Sequence, residues 1–103
     1  MVVNDRYFPP QKLSSFLNEL SGRIQIDLLG KSVKNSPIYG LKIGSGIKKI
    51  LIWSQMHGNE TTCTRALCEL IKVILNSESY KKNISFLIIP QLNPDGAEEY
   101  SRF

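Results

Sequence analysis

The sequence predicts a small α/β domain built on a mixed sheet, and three observations lead there. Two short, nearly continuous apolar runs, Lys49–Ser54 and Ile84–Ile89, read as strands buried on both faces, the pattern of a parallel pair. Between them Cys63, Ala66, Leu67, Leu70, Ile71 and Ile74 recur at helical spacing, which makes the whole a βαβ unit. Ahead of them lie two stretches in which apolar and polar residues alternate, the pattern of an antiparallel hairpin. A chain of 103 residues holds one domain of this kind, taken here as residues 1–103, and its 42% apolar and 21% charged content excludes disorder and a disulfide scaffold.

The elements follow in order. Leu13, Phe16, Leu17 and Leu20 predict a helix over Pro10–Leu20, with Pro10 suited to the first turn and Gly22 to the stop. Arg23–Leu29 alternates and reads as a strand, Gly30–Pro37 as a connection, and Ile38–Ile43 as the second strand of the pair. Gly44-Ser-Gly46 is a turn leading to the Lys49–Ser54 strand. The next helix ends near Asn76, with Thr64, Arg65, Glu69 and Lys72 on its polar face. Ser77–Asn83 is polar and reads as a loop before the Ile84–Ile89 strand, which Pro90 ends. The crossover between the two parallel strands is expected to be right-handed.

Composition also limits the partners. The formal charge is +4, but it is uneven: residues 1–52 carry eight basic and three acidic side chains, residues 53–103 five and six. The lysines are scattered or in isolated pairs, without interleaved aromatics or a helix-turn-helix pattern, so a solvated face is expected and no nucleic-acid partner. No apolar run approaches the ~18 residues of a membrane span. Met1–Gln11 holds Asp5, Arg6 and two prolines and lacks the apolar stretch of a secretory signal. Cys63 and Cys68 fall within the apolar helical pattern and are expected to be reduced core thiols, which fits a cytoplasmic setting.

In an open α/β sheet, sites form beyond the carboxyl ends of the parallel strands. Two loops leave such ends here, Gln55-Met-His-Gly-Asn-Glu60 and Gln91-Leu-Asn-Pro-Asp-Gly96. His57, the single histidine, and Glu60 form an H-x-x-E pair. Imidazole nitrogen and carboxylate oxygen are zinc donors, and a bend at Gly58 can turn both to one point. The alternative is that Glu60 only complements the dipole of the helix that follows. Asn93-Pro94-Asp95-Gly96 fits a type I turn, and Arg102 follows it, either as a solvated arginine or as part of the site.

With these residues in view, the chain resembles the zinc metallocarboxypeptidases of the carboxypeptidase A-like family. The matches are Gln55-Met-His57-Gly-Asn-Glu60 after one strand, Leu92-Asn-Pro-Asp-Gly96 after the next, and the tail Ala97-Glu-Glu-Tyr-Ser-Arg102. Asp27–Val33 with Pro37–Ile43 is similar to the family's opening hairpin, so the resemblance runs from about Arg23 onward. It implies a three-layer α/β/α, phosphorylase/hydrolase-like fold and hydrolysis of C-terminal peptide bonds. His57 and Glu60 match the first two zinc ligands, Arg102 the arginine that polarises the scissile carbonyl, and Asn93, Pro94, Asp95 and Gly96 a structural turn beside the cleft. One zinc ion is implied, activating water and carbonyl, with a peptide or protein C-terminus as substrate.

The third ligand, a later histidine, and the general-base glutamate have no counterpart in the 103 residues. The chain is therefore expected to be the N-terminal, truncated part of such a domain, to bind zinc weakly and to hydrolyse nothing alone. An unpaired sheet edge would favour self-association. Two other readings stand beside this one. A zinc amidohydrolase of the succinylglutamate desuccinylase/aspartoacylase group shares the His-Gly-Asn-Glu stretch, and a non-catalytic binding or assembly module would use the fold alone.

Overall fold

The computed structural model describes residues 7–102. The expectation for Met1–Gln11 as a non-secretory start therefore lies, for Met1 to Arg6, outside the described residues. The order is α1 (Pro10–Leu20), β1 (Gln25–Lys31), β2 (Pro37–Ile43), β3 (Lys48–Trp53), α2 (Thr62–Leu75), α3 (Glu78–Asn83), β4 (Ile84–Ile89) and α4 (Pro94–Glu99). The sheet is mixed, in the order β1-β2-β4-β3, with β1–β2 and β2–β4 antiparallel and β3–β4 parallel. The hairpin and the βαβ unit stand as expected.

Register decides which residues meet. Leu41 pairs with Ile88, Ile43 with Phe86, Ile50 with Phe86 and Ile52 with Ile88, so these side chains share one face. Leu13, Leu17 and Leu20 of α1 and Leu67, Ile71 and Ile74 of α2 pack against that face and close the core. Proline at the first turn fixes φ for α1, and the three leucines, four and three residues apart, point one way.

Four details depart from the sequence reading. First, β3 is not buried on both faces. Ile50 and Ile52 turn to the core, while Leu51 and Trp53, on the other face, are 54% and 50% exposed. An apolar run reports two apolar faces, but cover is supplied by other elements. Second, the buried stripe of α2 is Thr64, Leu67, Cys68, Ile71, Ile74 and Leu75, while Cys63, Ala66 and Leu70 face outward. Thr64 was expected on the polar face. It is fully buried because its Oγ1 meets Ser54 Oγ at 3.0 Å, and that hydroxyl donates to the Pro90 carbonyl at 2.6 Å.

Third, Ser77–Asn83 is not all loop. Ser77 caps α3 by accepting from the Tyr80 N–H at 3.2 Å, Glu78 lies in its first turn, and Lys81 and Lys82 lie in its last. It buries no residue, so it has no apolar period to read. Fourth, Asn93–Gly96 is not an isolated turn but the start of α4. Asn93 Oδ1 accepts from the Gly96 N–H at 2.9 Å, with Pro94 at the first helical position and Asp95 in the first turn. A type I turn and a first helical turn share nearly the same dihedrals, so one signature serves both.

The two cysteines also part. Both are free, but only Cys68 is buried; Cys63 is exposed, against the expectation of two core thiols. Burial pushes the Cys68 thiol from 9.0 up to about 11. Between those values the unfolded chain has lost the proton that the folded chain keeps, so unfolding releases it. The thiol's contribution is fully present below pH 9 and is lost as pH rises toward 11. A thiol reagent at neutral pH is expected to label Cys63 at once and Cys68 only on unfolding. Equal labelling rates would contradict this. No helix among the described residues is long and apolar enough to cross a membrane.

Candidate metal centre

β3 and β4 run parallel and side by side, so the loops after Trp53 and Ile89 emerge on the same edge. They are stitched together by backbone: the Leu92 N–H donates to Ser54 O at 3.0 Å and the Asn93 N–H to Gln55 O at 3.1 Å. The Asn93 amide reaches Met56 O at 3.3 Å. Gly58 is needed here for close approach rather than for the bend the sequence suggested. A Cβ on Gly58 would overlap the backbone carbonyl carbon of Gly96. The left-handed residue is Gln55 instead, at φ 55°.

His57 and Glu60 lie in one tight turn, closed by the Glu60 N–H on His57 O at 3.1 Å. Their side chains meet, with Nε2 and Oε1 3.9 Å apart. Arg102 reaches the same place from the far end of α4. Tyr100 ends that helix in the left-handed region (φ 52°, ψ 49°). Bonds from Tyr100 N–H to Ala97 O at 3.3 Å and from Ser101 N–H to Gly96 O at 2.9 Å form a Schellman motif. The chain thereby turns back toward His57. Arg102 Nη1 stands 3.8 Å from Glu60 Oε1, and its own carbonyl stands 3.1 Å from His57 Nδ1.

A carbonyl only accepts, so His57 Nδ1 carries the proton in this contact. Nε2 is then the ring nitrogen on the side of Glu60. Orientation of one imidazole nitrogen by a backbone acceptor, leaving the other free, is what metal-binding histidines commonly have. His57 is about one-third exposed, and Glu60 and Arg102 are more than half exposed. Exposed ion pairs contribute only about 0–1 kcal/mol, so the cluster adds little to stability. Beside it, Asn59 Oδ1 is buried without a hydrogen-bond partner among the described residues.

The donor chemistry suits zinc. Two donors at roughly 2.1 Å from one ion at a tetrahedral angle stand about 3.4 Å apart, so small side-chain rotations from 3.9 Å suffice. His57 and Glu60 fit as two ligands. Among the described residues no group of three or more His, Cys, Asp or Glu is arranged to hold a metal.

Asp95 works at a distance from this pair. Its carboxylate accepts from Ser32 Oγ at 2.6 Å and from the Lys34 N–H at 3.1 Å, fastening the β1–β2 loop to α4. Lys34 also binds Glu99, and this hydrogen bond raises the pKa of its ammonium. Asn93 and Gly96 thus lie against the loop that carries His57, Asp95 ties α4 to the β1–β2 loop, and Pro94 starts the helix; none of the four enters the His57, Glu60 and Arg102 cluster. Sequence reasoning missed Gln55 and Gln91, both almost fully buried and bonded to each other at 3.1 Å. The only signal for them was a glutamine two positions after the end of each parallel strand.

The sequence model of the family described as Zinc carboxypeptidase matches residues 11–102. The chain belongs to the zinc carboxypeptidase family. Carboxypeptidase M of Mus musculus is 28% identical over 111 residues, a match covering 90% of this chain and 25% of that protein. Among solved structures, a metallo-carboxypeptidase from Burkholderia cenocepacia superposes with a TM-score of 0.82 at 19% identity, covering 93% of this chain and 30% of that one. A metallo-carboxypeptidase from Pseudomonas aeruginosa, solved with (2-guanidinoethylmercapto)succinic acid, gives 0.79 at 19% identity over 93% and 28%. At such identities the structural likeness speaks for the carboxypeptidase fold. The chain spans about a quarter of its curated relative and under a third of these two structures.

Proposed function

We propose that this chain supplies the first part of a zinc carboxypeptidase centre acting on peptide C-termini: His57 Nε2 and Glu60 as two metal donors, and the Arg102 guanidinium as a charge beside them. The observation that carries this is the meeting of the three side chains within 4 Å contacts at the carboxyl ends of β3 and β4. Membership of the zinc carboxypeptidase family supports it. The third donor and a general base come, on this reading, from outside the 103 residues. A bound zinc would supply Lewis acidity toward a carbonyl and a water. The residues of this chain do the rest of the work attributed to them. The Arg102 carbonyl holds the His57 tautomer that points Nε2 outward, and the Arg102 guanidinium offers N–H donors to an oxygen that gains negative charge.

Two donors alone lack the chelate closure of a full ligand set. In a zinc titration followed by His57 ring nitrogen shifts, the chain is therefore expected to bind weakly, with Nε2 the nitrogen that moves. By calorimetry, which needs no imidazole reporter, His57→Ala is expected to abolish zinc binding at this place, and Glu60→Gln, which removes a charged donor, to weaken the His57 shifts. C-terminal peptide substrates stay intact. Zinc that remains stoichiometric through dialysis, or zinc binding measured by calorimetry that is undiminished in His57→Ala, would refute the two-donor reading.

A further inference from the structure

The loop that carries His57 and Glu60 is held from behind by one backbone carbonyl. Phe8 O accepts from Gln55 Nε2 at 3.1 Å and from Gln91 Nε2 at 2.9 Å, which occupies both of its lone pairs. Gln91 Nε2 also donates to Gln55 Oε1 at 3.1 Å. The second N–H of Gln55 donates to Gly58 O at 3.0 Å, inside the loop itself. Gln55 is 3% exposed and Gln91 2%. These bonds therefore form away from water, where a lost partner leaves a buried polar group unsatisfied.

The Phe8 carbonyl is itself fixed. Tyr7 OH donates to Glu98 O at 2.7 Å, and the Tyr7 ring meets Tyr100 edge-on at 6.4 Å. Arg65 Nη2 donates to Tyr7 O at 3.1 Å, and its guanidinium stands 5.2 Å over the Phe8 ring. Tyr7–Pro9 therefore ties α4 and α2 to a point under the two loops. We propose that Gln55 is the positioning residue of the His57–Glu60 turn and that Tyr7–Pro9 is the strap that holds it, acting through the Phe8 carbonyl. Gln55 touches neither donor. It sets where they stand, by joining the strap to Gly58 O between His57 and Glu60.

The metal part of this inference rests on the proposed function, and the positioning part does not. The test uses the 103-residue chain and two variants. Gln55→Glu keeps the shape but turns oxygen toward two carbonyls. Gln55→Gly keeps the left-handed backbone and deletes the amide. Native-state hydrogen exchange is read at the Glu60 and Asn93 amides, which are bonded to His57 O and Gln55 O, and at the buried strand residue Ile88. Zinc is then titrated as above. Both variants are expected to exchange at Glu60 and Asn93 at least about tenfold faster with Ile88 unchanged, and to lose roughly tenfold in zinc affinity at His57. Wild-type exchange in Gln55→Gly would mean that the backbone conformation suffices, and would overturn the proposal. So would uniform acceleration or unfolding in both variants, since the amide would then serve the whole fold. If the unaltered chain gives no zinc response at His57, the proposed function fails, while the exchange result still decides the positioning role.

Discussion

Gly58→Ala is expected to destabilise the protein by about 3 kcal/mol or more, at the top of the range for overpacking. The added methyl falls on the backbone of Gly96, which cannot rotate aside as a side chain would. Relief requires that the loops after β3 and β4 part, and four contacts oppose this. They are the backbone bonds of Leu92 and Asn93 to Ser54 and Gln55, the Asn93 amide on Met56 O, and the Gln91 amide on Gln55 Oε1. A small domain is stable by about 5–15 kcal/mol, so the loss is a large fraction of the whole. In urea, where small proteins lose about 1–3 kcal/mol per molar, the midpoint is expected to fall by at least about 1 M at unchanged slope. Gly30→Ala is the control, because nothing lies within 4 Å of a Cβ there. Equal midpoints for the two variants would show that the loops are not held as described.

Ile71→Ala is expected to cost about 2–5 kcal/mol. Ile71 is fully buried in α2 and belongs to one core cluster with Leu41, Phe86 and Ile88 of the sheet and the leucines of α1. Truncation leaves a cavity that neighbours from three elements would have to close together. Leu51→Ala, on the open side of β3, removes a similar side chain from a position already 54% exposed and is expected to cost far less. Parallel denaturation of the two separates burial from side-chain size. Similar losses would mean that the face of β3 bearing Leu51 and Trp53 is covered in solution.

What could be read in the sequence was whatever repeats. α1 matches its expected bounds and α2 lies within a residue of them, because each carries an apolar period, and β4 matches because its apolar run is cut off by Pro90. The H-x-x-E pair stood out because ligand chemistry restricts residue types, and Arg102 through the family resemblance; the structure brings the three together. What escaped has no period. Thr64 was misassigned because its burial depends on a hydroxyl ten residues away. α3 rests on a cap and charges alone. Gln55 and Gln91 are held by a carbonyl 47 and 83 residues distant, a relation that no local pattern contains.

Trp53 is the single tryptophan of the chain, the last residue of β3, half exposed and four residues before His57. An indole in that position is a built-in optical reporter. Its emission describes one surface, uncontaminated by a second tryptophan, and shifts to the blue when water leaves that surface. Whatever comes to lie over the outer face of β3 next to His57 and Glu60 will announce itself in the colour of this one side chain, without any added label.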